Sequence, residues 1–187
     1  MGRAHAIPKR IALIAGVAVA LLYAGLIVGR ALYPIGYLEL VERCADANGL
    51  DPALVCSLVR AESRFHPDAV SPRGALGLMQ IMPSTGEWIA RQMDASELDP
   101  QSLLDPEVNL RLGTWYLRYL SDRFGAVDVA LMAYHAGPTR VAEWLAEGEI
   151  PFSGTRAYVK RVLHAVFIYR TVLRCPLLVR ITPSIPL

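Results

Sequence analysis

The spacing of apolar residues along the chain predicts a protein built almost entirely of helices. From residue 37 onward, apolar positions recur every three or four residues, which is the period of an amphipathic helix. Prolines, glycines and short polar clusters interrupt this pattern at intervals that suit helix ends. The alternation that marks paired strands does not stand out at any point, so the pattern predicts a mainly α fold.

Helix start and stop signals divide this region into segments. Asp51 before Pro52 and Asp105 before Pro106 are each typical of an N-cap followed by the first helical residue. Ser84 with Glu87 predicts a capping box at another start. The predicted helices run over 37–48, 51–62, 84–93, 105–124, 127–136, 138–147 and 153–174. Residues 176–187 contain three prolines and are expected to be irregular.

The N-terminal segment has a different pattern. Residues 11–29 are nineteen consecutive residues without a charge, about the length that crosses a bilayer. Arg3, Lys9 and Arg10 precede them, and the first thirty residues contain no acid. The positive-inside rule then predicts that residues 1–30 form a cytoplasmic basic tip and a single-pass signal-anchor in the cell membrane, with the rest of the chain on the extracytoplasmic side.

Two alternatives compete with the anchor. A buried core helix would show a polar face, and this segment has none. A cleaved signal peptide has an apolar region of about 7–15 residues followed by a small-x-small site. Here the run is longer, and Ala18-Val19-Ala20 lies in its middle, so the uncleaved anchor is favoured while cleavage stays open.

Charge and cysteine content narrow the function classes. Four of the 19 basic residues and none of the 17 acidic residues precede residue 31, so the remainder carries −2 and lacks the basic surface of a nucleic-acid-binding domain. The three cysteines leave one unpaired if two form a bond. Cys44 and Cys56 flank the turn at 49–50, so a disulfide there is one alternative to buried free thiols. No spacing suggests a metal site.

Glu62 is the first candidate for chemistry. At about 100° per residue, it lies between Leu58 and Val55 on the apolar stripe of the 51–62 helix, which Phe65 extends. A carboxyl there must be paired, protonated or functional, and burial raises its pKa toward the range of a general acid. A structural salt bridge is the alternative that this helix alone leaves open.

Four blocks together resemble the catalytic domain of the soluble lytic transglycosylase (SLT) family, which is lysozyme-like and related to goose-type lysozyme. They read E-S-R-F-H-P-D-A-V-S at 62–71, G-A-L-G-L-M-Q-I-M-P at 74–83, A-Y-H-A-G-P at 133–138 and I-P-F-S-G-T-R-A-Y-V at 150–159. The resemblance runs from about residue 33 to 170. It implies a lysozyme-like catalytic domain over residues 31–175, behind the predicted anchor.

The resemblance also implies a reaction. The family cleaves the β-1,4 bond between N-acetylmuramic acid and N-acetylglucosamine in peptidoglycan without water, leaving 1,6-anhydro ends. Glu62 matches the family's single acid, which also serves as the base, whereas ordinary glycosidases use two carboxylates. Asp68 and Glu87 are the nearest other carboxyls in sequence and are expected to be structural. Peptidoglycan strands are the implied partner, and no cofactor is implied.

Supporting residues carry over from the matching blocks. Ser71 matches a serine near the acid, or else it caps a turn. Gln80 and Met82 match positions that line sugar sites, while Met79 is expected to pack. Tyr134 matches a tyrosine whose hydroxyl approaches the acid, or else it is a core residue whose hydroxyl has another partner. Tyr158 matches a cleft tyrosine contributed by the last helix, or else it packs between helices. Gly74, Gly77 and Gly137 are expected to have backbone roles that need positive φ or close approach.

His135 departs from the family pattern, which usually has asparagine at this position. Both side chains present a donor and an acceptor, so histidine can preserve a hydrogen bond, but it also titrates near neutral pH. A charged His135 near Glu62 would lower the pKa of the acid. The sequence therefore predicts a steeper activity loss below about pH 6.5 than in a His135→Asn variant.

Two other functions fit the same residues. A goose-type muramidase would use water and give reducing ends. A non-catalytic peptidoglycan-binding protein on the same scaffold would have lost its chemistry, although Glu62, Gln80 and Tyr134 are all present. The sequence does not distinguish exo from endo cleavage, a requirement for peptide stems, or a partner in the cell-wall machinery.

Overall fold

The computed structural model describes residues 9–94, 97–148 and 153–174. The chain forms two compact units, residues 1–34 and 35–187. The predicted basic tip at residues 1–8, the start of the fourth sequence block at 150–152 and the predicted irregular tail at 176–187 lie outside the described residues.

In the first unit, the described residues form the helix α1 over Lys9–Leu32. Its 24 residues include the whole uncharged run, and side chains along it such as Leu13 and Leu21 are exposed. Within the described residues, no helix has the length and apolar character needed to cross a membrane. The helix predicted here is therefore present, but the structure does not support its assignment as a transmembrane span.

The second unit is helical, as the periodicity predicts. Its α-helices are α2 (Leu38–Ala47), α3 (Pro52–Glu62), α4 (Pro83–Gln92), α5 (Pro106–Phe124), α6 (Val127–Ala136), α7 (Pro138–Glu147) and α8 (Ser153–Leu173). A short 3₁₀ helix at Pro100–Leu104, which the sequence pattern did not predict, precedes α5. In the described part of the chain, β structure is limited to two isolated bridges, Val70 with Leu76 and Leu76 with Ile81.

Local chemistry explains most helix ends. The Asp51 side chain accepts a hydrogen bond from the Ala53 N–H at 2.9 Å, and Asp105 caps α5 in the same way. Gly125 ends α5 in the left-handed conformation at φ 73°. The two caps confirm the predicted start signals, and the end of α5 agrees with the predicted bound at residue 124.

The start of α4 differs from the prediction. The helix begins at Pro83, Met82 is the N-cap residue, and no side chain caps it. Proline suits the first helical position because its fixed φ is already helical. An N–H at this position would have no acceptor within the helix, so its absence in proline costs no hydrogen bond. Ser84 therefore lies inside the first turn, and the predicted capping box with Glu87 is wrong.

The core surrounds α3. This helix packs against α8 and α2, while α5 packs against α6 and α2, and α6 packs against α7 and α8. Leu58 and Phe65 are fully buried, which confirms the predicted apolar stripe. Because α3 is central, its C-terminal end has a fixed position relative to α6 and α8.

Cys44 and Cys56 are free thiols and both are buried. The alternative of a disulfide between them is therefore wrong in this structure. Burial raises the pKa of Cys56 to about 12, so its thiol stays protonated at neutral pH. These side chains act as small apolar groups in the packing of α2 and α3.

Candidate active site

Glu62 is the last residue of α3, where the chain turns sharply out of the helix. The buried Ser63 hydroxyl donates to the carbonyl of Leu78 at 2.8 Å and so ties the helix end to the following loop. Arg64 and Phe65 then adopt left-handed φ values of 54° and 66°. Phe65 is buried, and its packing holds this strained turn in place.

Two opposing effects act on the Glu62 carboxyl. Burial is the larger and raises its pKa, since a low-dielectric environment disfavours the charged form. The hydroxyl of Tyr158 on α8 donates to Glu62 Oε1 at 2.5 Å, which lowers the pKa but does not cancel the effect of burial. The net effect is a raised pKa for Glu62, which is the direction that a general acid needs.

The hydrogen-bond partner of the Tyr134 hydroxyl is a backbone carbonyl rather than the acid. This hydroxyl donates to the backbone carbonyl of Met79 at 2.8 Å, so the hydrogen bond to Glu62 comes from Tyr158 instead. Tyr134 nevertheless lies close enough for the Glu62 charge to contribute, after burial, to its raised pKa. Helix α8 packs against α3, so Tyr158 reaches Glu62, whereas Tyr134 on α6 reaches the loop after α3.

His135 lies next to this pair. Its ring stacks on Tyr158 with centroids 4.1 Å apart and planes 17° apart. Burial, followed by the charges of Arg161 and Arg73, lowers its pKa, because each of these disfavours the imidazolium. His135, Tyr158 and Glu62 therefore form a connected row from α6 through α8 to α3.

The Gly-rich loop before α4 is held by its own polar groups. The Gln80 side-chain amide donates to the carbonyls of Ala69 and Gly77 at 3.0 and 2.9 Å, and Gln80 itself has a φ of 49°. The Ser71 hydroxyl accepts from the Ala75 N–H at 2.9 Å, which is the turn-capping role. These hydrogen bonds account for both side chains structurally. Their predicted contacts with sugar and with the acid stay predictions.

Glycine is required in this loop. Gly77 has a φ of 75°, and a Cβ there would lie 2.2 Å from the Leu103 carbonyl oxygen. Gly74 and Gly137 also have positive φ values of 82° and 93°. All three glycines thus have the backbone roles predicted for them. Met79 is fully buried, as predicted, whereas Met82 is 39% exposed at the start of α4.

Asn109 was not identified in the sequence. It is fully buried on α5, accepts from the Met79 N–H at 2.7 Å, and donates to the carbonyls of Leu76 and Leu103 at 2.9 and 2.7 Å. A polar residue on the buried face of a predicted helix was the available signal. Asn109 fixes the same loop that Tyr134 and Ser63 hold from other sides. Among the described residues, no cluster of His, Cys, Asp and Glu could hold a metal ion.

Comparison with known proteins identifies the family. The family model for the transglycosylase SLT domain matches residues 39–150, and the chain belongs to this family. The soluble lytic murein transglycosylase of Escherichia coli strain K12 is 37% identical over 151 residues, covering 74% of this chain and 23% of the relative. The membrane-bound lytic murein transglycosylase C of Actinobacillus pleuropneumoniae is 38% identical over 90 residues, covering 47% of this chain and 25% of the relative.

The fold is similar to that of solved structures from the same family. The structure matches that of the lytic transglycosylase Slt from Pseudomonas aeruginosa, solved as an inactive mutant with glutamine in place of a glutamate, with a TM-score of 0.71 and 36% identity. The match covers 77% of this chain and 25% of that chain. The mainly helical, lysozyme-like SLT fold is therefore confirmed. This chain spans about a quarter of the length of these relatives.

Proposed function

We propose that this protein is a lytic transglycosylase that cleaves the β-1,4 bond between N-acetylmuramic acid and N-acetylglucosamine in peptidoglycan. The observation that carries the proposal is the partly buried Glu62 carboxyl, whose pKa burial raises and which the Tyr158 hydroxyl orients. Family membership supports the substrate class. The inactive Glu-to-Gln mutant of the Pseudomonas aeruginosa relative supports a catalytic glutamate.

Glu62 serves in turn as acid and base in this proposal. The protonated carboxyl donates its proton to the glycosidic oxygen, and the bond from that oxygen to C1 of the muramic residue breaks. The resulting carboxylate accepts the proton of the C6 hydroxyl as O6 forms a bond to C1. The products are a free N-acetylglucosamine 4-hydroxyl and a 1,6-anhydro end, so no water is consumed and Glu62 returns to its protonated form.

The other predicted residues support this chemistry in different ways. Tyr158 holds the carboxyl through its hydroxyl, and the His135 ring stacks on the Tyr158 ring. Ser71, Gln80 and Tyr134 hold the loop that leads to Met82, the exposed residue expected to contact sugar. In this proposal, Ser71, Gln80 and Tyr134 are positioning residues and Met82 is a substrate-contact residue.

The first experiment compares the natural chain with Glu62→Gln on purified peptidoglycan and weighs the released muropeptides. We expect anhydro products, one water lighter than muramidase products, and a loss of at least about a hundredfold in rate for Glu62→Gln. The melting temperature of Glu62→Gln should be unchanged or higher, because a neutral amide costs less to bury than a carboxylate. Reducing ends would assign the protein as a muramidase, and absence of cleavage by the natural chain would favour a binding protein.

Membrane attachment through residues 11–29 stays a prediction from the sequence. Some relatives are described as soluble and one as membrane-bound. Fractionation of cells expressing the full chain, beside a chain that begins at residue 31, tests it. Carbonate-resistant membrane association of the full chain alone is the result that the anchor predicts, and equal recovery of both chains in the soluble fraction contradicts it.

A further inference from the structure

The outer face of α8 exposes large apolar side chains. Leu163 is 40% exposed and Phe167 is 73% exposed, and they lie one turn apart on the same side of the helix. The opposite face, which includes Val159, Val162 and Val166, is buried, and α8 packs against α3 and α6. The Phe167 ring therefore contributes little to the core of the second unit, and its surface is available to a partner.

Basic side chains continue the same line along the helix. Residues at positions i, i+4, i+7 and i+11 share one side of a helix. On α8 these positions define an exposed outer stripe of two cations followed by two apolar side chains, Arg156, Lys160, Leu163 and Phe167. The helix contains no aspartate or glutamate between its first and last residues. The outer stripe thus combines positive charge with apolar surface.

The charge of the outer stripe is not neutralised within the described part of the chain. At the C-terminal end of α8, Arg170 pairs with Asp51 at 2.6 Å, and Glu42 lies in the wall of the same open pocket. Within residues 9–94, 97–148 and 153–174, Arg156 and Lys160 form no salt bridge. The first half of α8 is therefore the end with uncompensated positive charge, and an anionic partner complements it.

The size and the chemistry of the outer stripe favour a lipid surface over a folded protein. A stable protein interface takes about 20–30 residues from each side, whereas this stripe is a single row on one helix. An anionic bilayer has no such minimum, because its phosphates attract cations and its headgroup region accepts nearby apolar side chains. Charge and apolar surface on one narrow helix face match that kind of partner.

We propose that the outer stripe of α8 docks the second unit on an anionic lipid surface, with its cations at the lipid phosphates and its apolar side chains in the headgroup region. Phe167 follows Tyr158 by nine residues, which is about half a turn around the helix. The docked surface therefore lies on the side of α8 away from Tyr158 and Glu62, and the candidate active site stays open to glycan. This inference depends neither on the proposed function nor on α1 crossing a membrane.

A fluorophore attached to α8 tests the docking in the full chain. In a Cys175→Ser chain the remaining thiols, Cys44 and Cys56, are buried, and His164→Cys adds one exposed thiol beside the outer stripe. The labelled chain is mixed with vesicles of phosphatidylcholine alone or of phosphatidylcholine with phosphatidylglycerol, each containing a lipid with a quencher near its headgroup. We expect quenching by the anionic vesicles only. The same label introduced by Ala146→Cys on α7 should stay unquenched with both.

Titration with anionic vesicles then measures each contribution to binding. Lys160→Gln should weaken the binding by about fivefold, the effect of one cation near an anionic surface. Phe167→Ala should weaken it by about tenfold, because much of an exposed ring leaves water on docking. The matched controls are Arg140→Gln and Leu145→Ala, which remove an exposed cation and an exposed apolar side chain from α7 and should leave the binding unchanged. The melting temperature of Phe167→Ala should also be unchanged.

Several results would overturn the lipid surface. They are absence of quenching at the α8 label, equal quenching by neutral and anionic vesicles, and equal quenching of the α7 and α8 labels. A mass that rises with protein concentration and falls with Phe167→Ala would assign the outer stripe to a second copy of the chain. Slower cleavage of soluble peptidoglycan fragments by Phe167→Ala, without vesicles, would assign it to the glycan. The proposed function stands in each case, because the chemistry of Glu62 is tested separately.

Discussion

At the residue scale, the candidate site depends on how one carboxyl is balanced between burial and a hydrogen bond. Burial of Glu62 raises its pKa, and the Tyr158 hydroxyl lowers it by favouring the charged form. The same hydroxyl also fixes where the carboxyl points. The chemistry of Glu62 therefore depends on a side chain 96 positions away in sequence.

Replacing Tyr158 with phenylalanine should move the pH profile in a defined direction. The pKa of Glu62 then rises further, so the alkaline limb of kcat/KM, above which the acid is deprotonated, shifts to higher pH. Loss of orientation should also lower kcat by about tenfold. Profiles of the natural chain and Tyr158→Phe on peptidoglycan measure both effects.

Tyr134→Phe is the control for this experiment. It removes a hydroxyl that binds Met79 rather than Glu62, so the alkaline limb should stay in place even if the rate falls. If Tyr134→Phe shifts the limb and Tyr158→Phe does not, the assignment of the two tyrosines is reversed.

His135 gives a second pH prediction. Its pKa is lowered in the folded protein, so between that value and the free value near 6.5 the unfolded chain binds a proton that the folded chain does not. Above about pH 6.5, His135 therefore does not change the free energy of unfolding with pH. As the pH falls below that value, His135 lowers the free energy of unfolding. Protonation of His135 should also reduce activity. Because its pKa is lowered, this loss should occur at a pH below the free-histidine value of about 6.5.

The measurement compares the natural chain with His135→Asn between about pH 5 and pH 8, where histidine titrates. The natural chain should lose more melting temperature and more activity toward the acidic end than the variant does. Parallel curves for the two proteins would show that His135 is only a structural replacement for asparagine.

At the element scale, the loop between α3 and α4 is the feature that assembles the site. Ser63 holds it from α3, Asn109 from α5 and Tyr134 from α6. Its own conformation depends on glycines and on Gln80, several of which have positive φ. This arrangement explains why a segment without regular structure is well packed: its backbone polar groups find partners on the surrounding helices.

Two glycine variants separate backbone strain from steric overlap in this loop. Gly74→Ala introduces only the cost of a positive φ, about 1–2 kcal/mol, because no atom lies within 4 Å of its Cβ. Gly77→Ala adds a collision with the Leu103 carbonyl and the Asn109 side chain, so we expect a loss of about 3 kcal/mol or more. Chemical unfolding of both variants measures the difference, and equal losses would show that the loop can move to accept a Cβ.

At the scale of the whole molecule, the second compact unit contains two buried thiols, Cys44 and Cys56, whose reactivity reports on its folding. The second unit buries its core around α3 without a disulfide between Cys44 and Cys56. In a Cys175→Ser chain, a thiol reagent at about pH 8 should therefore react only as the protein unfolds. The melting temperature should not change with reductant. Rapid reaction of the folded chain, or a lower melting temperature on reduction, would contradict this.

The periodicity of the sequence was sufficient to predict the helices because each helix depends on interactions between residues close in sequence. The N-caps Asp51 and Asp105 and the C-cap Gly125 act within one turn of their own helix, so the chain pattern alone located these ends. The capping box at Ser84 was wrong since two local signals competed and Pro83 took the first helical position. The 3₁₀ helix at Pro100–Leu104 is too short for a periodic signal.

By itself, the sequence determined the helical class, the family and the glutamate at the end of α3, because motif residues and apolar spacing can be read along one chain. Only the tertiary structure decided which hydroxyl reaches that glutamate and how Asn109 holds the Gly-rich loop. Those facts depend on contacts between helices far apart in sequence. Crossing angles and packing set such contacts, and no local pattern records them.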